Sequence, residues 1–306
     1  MEVMNTISQL KQFIYHNKEQ KQSIGFVPTM GYLHEGHRSL MQKAKSECDI
    51  VVLSIFVNPL QFGPNEDFEV YPRDTERDLQ IAQDMNIDVV FLPTVKEMYP
   101  SEVNTKVSVS NLTSRLCGAS RPGHFDGVST VVMKLLNIVE PDKAFFGQKD
   151  AQQVAVITQM VFDLNMNVEI VPCPIIREKD GLALSSRNVY LNDEERVQAI
   201  RLFEALELSE RWIGEMNVTT EVLQKHLYAH ISSAPLAKID YIEILSYPDL
   251  QPIEKTNTVT QILADKEIIV ALAVKFGKTR LIDNRIYTNN TIKVKKQPDL
   301  GGIVYV

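Results

Sequence analysis

The stretch Ile24-Gly25-Phe26-Val27-Pro28-Thr29-Met30-Gly31-Tyr32-Leu33-His34-Glu35-Gly36-His37 decides how the rest of the chain is read. Its first four residues form a short apolar run of buried-strand character, which Pro28 and Gly31 interrupt. A helical pattern starts near Gly36 and His37, with Leu40, Met41 and Ala44 on one side. His34 and His37 therefore fall in a strand-to-helix turn, where free backbone N–H groups and the positive end of the helix dipole favour an anion. A turn of that kind suits a triphosphate. An imidazole there can donate to phosphate oxygens or protonate a leaving oxygen near neutral pH. No third ligand for a metal is evident beside the pair.

Outward from this turn, strand-like and helix-like segments alternate through the first two-thirds of the chain. A helix near His37–Glu47 is followed by Ile50–Val57, β-branched and apolar on both faces as a central parallel strand should be. Asp74 to Met85 reads as a helix, Val89–Leu92 as a strand, Ser129–Val139 as a helix and Ala144–Phe146 as a short strand. Asp150–Leu164 then reads as a helix and Val168–Val171 as a strand. The rhythm predicts an α/β fold with a doubly wound parallel sheet. After Arg187 the pattern changes. Asn192 with Glu195 makes a capping box for a long helix ending near Gly214, and a second helix covers Val218 to Ile231. Ile239–Leu245, Ile268–Val274 and Arg280–Ile282 read as strands. The division expected is a Rossmann-like unit over 1–187, a smaller α+β unit over 188–288, and a loosely held basic tail over 289–306 with Lys293, Lys295 and Lys296.

The chain has 306 residues, 44% of them hydrophobic, enough for a substantial core. No apolar run approaches the roughly 20 residues that span a bilayer, and the N-terminus lacks a signal-peptide pattern. Cys48, Cys117 and Cys173 are scattered and odd in number, which fits reduced thiols in a cytoplasmic protein. The net charge of −7 argues against general nucleic-acid binding and requires positive charge for an anionic substrate to be gathered locally.

Three further stretches carry candidate chemistry. Phe56-Val57-Asn58-Pro59-Leu60-Gln61-Phe62 follows a central strand, where ligands of open α/β sheets bind, and the amides of Asn58 and Gln61 would point into that crevice. An ordinary Asn-Pro turn has the same composition. Phe146-Gly147-Gln148-Lys149-Asp150-Ala151-Gln152-Gln153 spans another strand-to-helix junction. Asp150 and Gln153 have capping-box spacing, whereas a cation such as Lys149 at a helix start is disfavoured unless an anion also binds. In Lys179–Asn188, the run Ser185-Ser186-Arg187 offers two hydroxyls and a guanidinium, a suitable polyphosphate clamp. Arg121-Pro122-Gly123-His124-Phe125-Asp126-Gly127 reads as a rigid loop leading into a helix, and the lone Trp212 as core.

Taken together and in this order, these stretches and Leu281-Ile282-Asp283-Asn284 resemble the pantoate–β-alanine ligase (pantothenate synthetase) family of the nucleotidyltransferase superfamily, from about Ile24 to Asn284. The resemblance implies ATP contacts from Met30, Gly31, Tyr32, Leu33, His34, Glu35, Gly36 and His37, from Gly147, Gln148, Lys149 and Asp150, from Ile176, and from Leu184, Ser185, Ser186 and Arg187. It makes His37 the proton donor and places Gln61 and Gln153 on pantoate, with Gln61 also near β-alanine. Gln153 then faces substrate, while Asp150 still caps. Two chemical steps are implied, adenylation of pantoate and then attack by the amine of β-alanine. His34, His37, Lys149 and Arg187 would meet the phosphate charge, with Mg²⁺ as a further clamp. A homodimer is the family expectation. Two other readings stay open from the residues alone: an adenylyltransferase moving AMP to a phosphorylated acceptor, and a non-enzymatic nucleotide or RNA-binding module, against which the acidic composition speaks.

Overall fold

A computed structural model describes residues 1–64, 66 and 68–291; the tail lysines 293, 295 and 296 lie outside the described residues. Nine strands and eleven α-helices follow in chain order among those residues. The first half runs β1 (Glu2–Met4), α1 (Ile7–Glu19), β2 (Ile24–Thr29), α2 (Glu35–Glu47), β3 (Ile50–Ile55), α3 (Thr75–Asp84), β4 (Val89–Phe91), α4 (Val95–Met98), α5 (Cys117–Ser120), α6 (His124–Val139), β5 (Lys143–Gly147), α7 (Ala151–Asp163) and β6 (Glu169–Cys173). The second runs α8 (Asp193–Ala199), α9 (Arg201–Met216), α10 (Thr220–Ser232), β7 (Ala237–Tyr247), α11 (Val259–Leu263), β8 (Glu267–Phe276) and β9 (Thr279–Tyr287).

Strands β1 to β6 form one parallel sheet in the order β1-β4-β3-β2-β5-β6. Successive side chains on a strand leave on opposite faces, and the core divides accordingly. Phe26, Val52, Phe91 and Phe146 join α1, α6 and α7 on one face. Val27, Leu53, Val90 and Phe145 join α2 and α3 on the other. Helices on both faces make the sheet doubly wound, as the apolar run of β3 predicts. Burying a residue such as Phe26 or Phe145 completely stabilises by about 1.5–3 kcal/mol each. The strand order reverses direction between β2 and β5. That switch point opens a crevice at the carboxyl ends of the two strands, beneath which the histidine turn and the Lys149 turn both start.

The second sheet is antiparallel, β7-β8-β9. One face packs on α9 and α10 through residues such as Ile244, Val270 and Leu272. The other face sends Leu245, Ile269 and Ala271 into the same apolar cluster as α6 and α7. The small sheet is thus seated on the large one through a shared core.

Local signals place most elements correctly, with some differences. Asn192 and Glu195 do form a capping box at α8, but a turn at Ile200 splits the long helix into α8 and α9. The helix expected from Ser129 starts five residues earlier at His124, because Gly123 in a left-handed conformation (φ 83°) ends the preceding loop there. β1 and α1 were not expected. A three-residue strand has no periodicity to detect, and α1 buries only Leu10, Ile14 and Asn17.

Candidate active site

The turn after β2 is built from the inside. Gly31 (φ 84°) and Tyr32 (φ 50°) both take left-handed backbone, which is costly for a residue with a side chain. Asp78, on α3 and 1% exposed, holds them there. Its carboxylate accepts from the backbone N–H of Tyr32 and of Leu33, each at 2.7 Å. Burial raises the Asp78 pKa, opposed by those two backbone donors. A side chain at Gly31 would meet the Asp78 carboxylate at 2.9 Å. His34 then caps α2, its Nδ1 accepting from Gly36 N at 3.1 Å, and His37 Nδ1 accepts from His34 N at 3.2 Å. A Cβ at position 36 would lie 2.8 Å from the His34 ring, so the fold-back requires glycine.

This geometry corrects the expectation that free backbone N–H groups wait here for an anion. The N–H groups of Gly31, Tyr32, Leu33, His34, Gly36 and His37 all have partners inside the protein. Among the side chains of this turn, the donors left to a ligand are the imidazoles. In both rings Nδ1 accepts a backbone hydrogen, so the neutral tautomer carries its proton on Nε2. The rings lie 4.0 Å apart between centroids. Burial, then the charge of Lys149, lowers the His34 pKa to about 4. Burial and the neighbouring His34 and Lys149 hold His37 well below its ordinary value. Near neutral pH the pair is therefore uncharged and offers N–H donors, and the positive charge must come from elsewhere.

The Phe56–Phe62 loop supplies a buried amide. Asn58, 1% exposed, accepts from Leu60 N at 3.3 Å and Tyr99 Oη at 2.8 Å, and donates to Gly127 O at 3.1 Å and Gln61 Oε1 at 3.2 Å. Its capacity is filled, so it orients Gln61 rather than a ligand. The Gln61 Nε2 group is left facing Met30 Sδ at 3.1 Å and the cavity. The Gln61 carbonyl is fixed as well, accepting from His124 Nδ1 at 2.8 Å, while Arg121 donates to His124 Nε2 at 3.1 Å and forks onto Glu66. Burial, reinforced by Arg121, lowers the His124 pKa to about 4. Gly127 lets α6 approach this loop; a Cβ there would sit 2.2 Å from Leu60 O.

The β5–α7 junction behaves differently from its spacing. Asp150 makes no side-chain cap, so the Asp150/Gln153 capping box does not form. Gln153 has no hydrogen-bond partner among the described residues and lines the cavity. Gln152 points inward instead, accepting from Cys117 N at 3.0 Å and donating to Leu112 O at 2.8 Å and Arg115 O at 2.7 Å. The carbonyls of Gln148 and Lys149 each accept from Asn284 Nδ2, at 3.0 and 2.9 Å.

Met30, His34, Gly36, His37, Asn58, Gln61, Gly147, Lys149, Asp150, Gln153, Ile176, Leu184, Ser185, Ser186 and Arg187 line one cavity of about 230 Å³. The imidazole turn and the hydroxyl–guanidinium loop thus share a wall, as the sequence predicts. Gly31, Tyr32, Leu33, Glu35 and Gln148 do not line it; Leu33 is wholly buried in the core. An adjoining cleft of about 1060 Å³ shares Lys149, Asp150, Gln153, Ser185 and Arg187 and extends along β9 past Lys278 and Arg280. The smaller cavity holds the reactive groups, because both imidazoles lie only there; the larger one gives the room that a nucleotide needs. Asp78 and Tyr99 escaped the sequence reading, and Asn284, quoted there only as the end of Leu281–Asn284, was given no role. Each acts from a distant segment, and no local spacing marks them.

Among the described residues no three His, Cys, Asp or Glu side chains cluster as metal ligands. The described residues therefore offer no protein cage for magnesium; an ion carried on a nucleotide's phosphates, a common mode of magnesium binding, would need none. None of the described helices is long and apolar enough to cross a membrane.

Fold and site define an α/β enzyme of the nucleotide-using kind, with a cavity at the switch point of a parallel sheet flanked by imidazole, lysine and arginine. The comparisons narrow that class. A family model described as pantoate-beta-alanine ligase matches residues 2–286. A pantothenate synthetase of Caldicellulosiruptor saccharolyticus is 55% identical over 93% of this chain and 98% of its own. One of Thermotoga petrophila is 52% identical over 94% and 99%. The crystal structure of pantothenate synthetase from Thermus thermophilus superimposes with a TM-score of 0.84 at 42% identity, covering 93% of this chain and 99% of that one. A Francisella tularensis pantoate-beta-alanine ligase, complexed with beta-gamma ATP and beta-alanine, gives 0.74 at 38% identity, over 94% and 97%. The chain belongs to the pantoate-beta-alanine ligase family.

Proposed function

We propose that this chain condenses pantoate with β-alanine, using ATP, through a pantoyl-adenylate intermediate. The observation that carries the reading is the single cavity joining His34 and His37 to Ser185–Arg187, with the amides of Gln61 and Gln153 between them. A carboxylate is a poor electrophile, so it must be activated before an amine attacks it. A pantoate carboxylate oxygen attacks the α-phosphorus, and the bond to the bridging oxygen breaks to release pyrophosphate. The β-alanine nitrogen then attacks the acyl carbon of the mixed anhydride. AMP leaves with the electron pair of the acyl–oxygen bond, and the amine loses a proton.

In the first step negative charge gathers on the phosphates. The Nε2–H groups of His34 and His37 donate to those oxygens, while Lys149 and Arg187 supply positive charge. A bound polyphosphate raises the imidazole pKa values, which brings His37 toward the proton-donor role that the resemblance implies. Gln61 and Gln153 orient the small acid by amide hydrogen bonds, and Asn58 holds Gln61. Neutral amides suit a hydroxy acid better than a phosphorylated acceptor, and the relatives carry the ligase name. The same reading takes in a homodimer in the cytoplasm and a division into units at 1–187 and 188–288.

Exchange of labelled pyrophosphate into ATP tests it. The enzyme with ATP, magnesium and pantoate, without β-alanine, should catalyse exchange that vanishes when pantoate is omitted. Addition of β-alanine should yield AMP and the amide by mass spectrometry. Product formation without any pantoate-dependent exchange would rule out a free adenylate.

A further inference from the structure

Two consecutive residues of β9 reach both loops on which the proposed reaction depends. Asp283, 2% exposed, pairs with Arg177 through two N–H···O bonds of 2.6 and 3.0 Å. Arg177 also donates to Gly181 O at 3.1 Å and lies over the Phe203 ring. A bridge from Arg177 to Ala183 and the bond from Leu184 N to Ile176 O, 3.0 Å, close the loop that presents Ser185 to Arg187. Asn284, 5% exposed, turns the other way, as strand alternation requires. Its Nδ2 group has two hydrogens and two acceptors, Gln148 O and Lys149 O. The pair is itself linked, Asn284 N donating to Asp283 Oδ1 at 2.8 Å.

The need for such a tie lies in the turn itself. Neither Gly147 nor Asp150 provides a side-chain cap, and Lys149 is a cation at a helix start, where the dipole repels it. The carbonyls of the two peptides that flank Lys149 accept from a residue 135 positions later than Lys149. Without that amide both carbonyls lose the tie to β9, and the Lys149 backbone is free to shift.

We propose that Asn284 is a positioning residue for Lys149, and that the Asp283–Asn284 pair makes the seating of the small sheet and the placement of both cationic loops one event. The sheet cannot leave the turn without releasing Lys149 and Arg177 together. The inference rests on the reading that Lys149 meets nucleotide phosphates.

Pantoate-dependent pyrophosphate exchange tests it in the full-length enzyme, with wild type, Asn284→Asp, Asn284→Ala, Lys149→Ala and the two double variants. Asn284→Asp keeps the shape and removes both donors. Each Asn284 variant should lower exchange by about 10-fold or more in the wild-type background, in keeping with the cost of small misplacements at a reacting centre. In the Lys149→Ala background the same changes should cost less than about 2-fold, the non-additivity of residues that act as a unit. The KM for pantoate should stay within about 2-fold throughout, whereas general loss of structure would raise it. Should Asn284→Ala fail to fold, Asn284→Asp carries the same cycle. Effects that multiply in the double variants, or wild-type exchange in folded Asn284→Asp, overturn the proposal. A wild-type enzyme without exchange would instead overturn the reaction reading. The coupling is then judged on ATP affinity by calorimetry, where additive losses overturn it and non-additive losses uphold it.

Discussion

Two strand-to-helix turns meet at the switch point of the parallel sheet, and they are stabilised in opposite ways. The turn after β2 is closed by its own neighbourhood. Asp78 takes two of its N–H groups, the His34 and His37 rings take those of Gly36 and His34, and both left-handed residues sit inside that mesh. The turn after β5 has no cap of its own and takes its anchor from β9. The first presents neutral hydrogen-bond donors in a fixed array. The second presents a formal charge whose position depends on a separate sheet. Preorganised dipoles act best when they need no rearrangement, so rigidity belongs with the imidazoles. A charge is effective over a longer range, and here its backbone is fixed by a residue of the separate sheet rather than by its own turn.

The sharpest way to break the contrast is to remove a donor from the rigid turn. His37→Ala should slow adenylate formation by about 100-fold or more, the usual cost of losing one oxyanion-type donor, along with a fall in melting temperature because the His34 N–H loses its acceptor. Single-turnover release of pyrophosphate measures it. Near-normal turnover would take His37 out of the mechanism and leave the rigid turn without a purpose.

Next in size is the support beneath it. Asp78→Asn keeps the shape but turns an N–H group toward one of the two backbone donors. One buried donor then loses its partner, a loss of about 1–3 kcal/mol in stability. Chemical denaturation should show that loss, accompanied by slower adenylation, because the imidazoles lose their fixed array. Unchanged stability would mean that the turn holds itself without the carboxylate.

Much of this was legible from local pattern. The alternation of β2, β3, β4 and β5 with helices predicts the parallel sheet; three of the loops that line the cavity show as breaks after apolar runs, and the fourth, Lys179–Asn188, shows by its hydroxyls and guanidinium alone. Asn192 and Glu195 cap a helix as their spacing says. Asp150 and Gln153 have the same spacing and do not, because the turn before α7 is held by Asn284 from another sheet and Gln153 faces the cavity. Asp78 stood within a correctly expected helix, yet nothing near it in sequence says that its carboxylate serves a turn 45 residues earlier. What the sequence could not show was the set of long-range bonds that decide which polar groups remain available to a ligand.

Gln152 and Gln153 sharpen the comparison within a single helix. Gln153→Ala should raise the KM for pantoate by about 10-fold, the range for one lost hydrogen bond at the site, and change ATP affinity far less. Gln152→Ala should leave the pantoate KM near normal and lower the melting temperature, because Cys117, Leu112 and Arg115 lose their partner. Equal effects of Gln153→Ala on both substrates would restore a structural role for it.

The last effect expected is an acid limb in stability. The folded chain holds His34 and His124 at pKa values of about 4, and His37 also well below the ordinary value of 6.5. In the unfolded chain each imidazole takes up a proton near its ordinary pKa. As pH falls below about 6.5 the unfolded state therefore binds more protons than the folded one, and stability declines. The contribution is fully present above pH 6.5 and is lost progressively toward pH 4, by at most about 1.4 kcal/mol per pH unit for each ring. His124→Asn keeps a donor toward the Gln61 carbonyl and removes one such ring. Denaturation midpoints between pH 6.5 and 4.5 should fall less steeply in that variant, by one proton's worth of slope. A slope identical to wild type would show that His124 is already protonated in the folded chain. The Nδ1–H···O bond to Gln61 would survive that, but the bond from Arg121 to Nε2 would not.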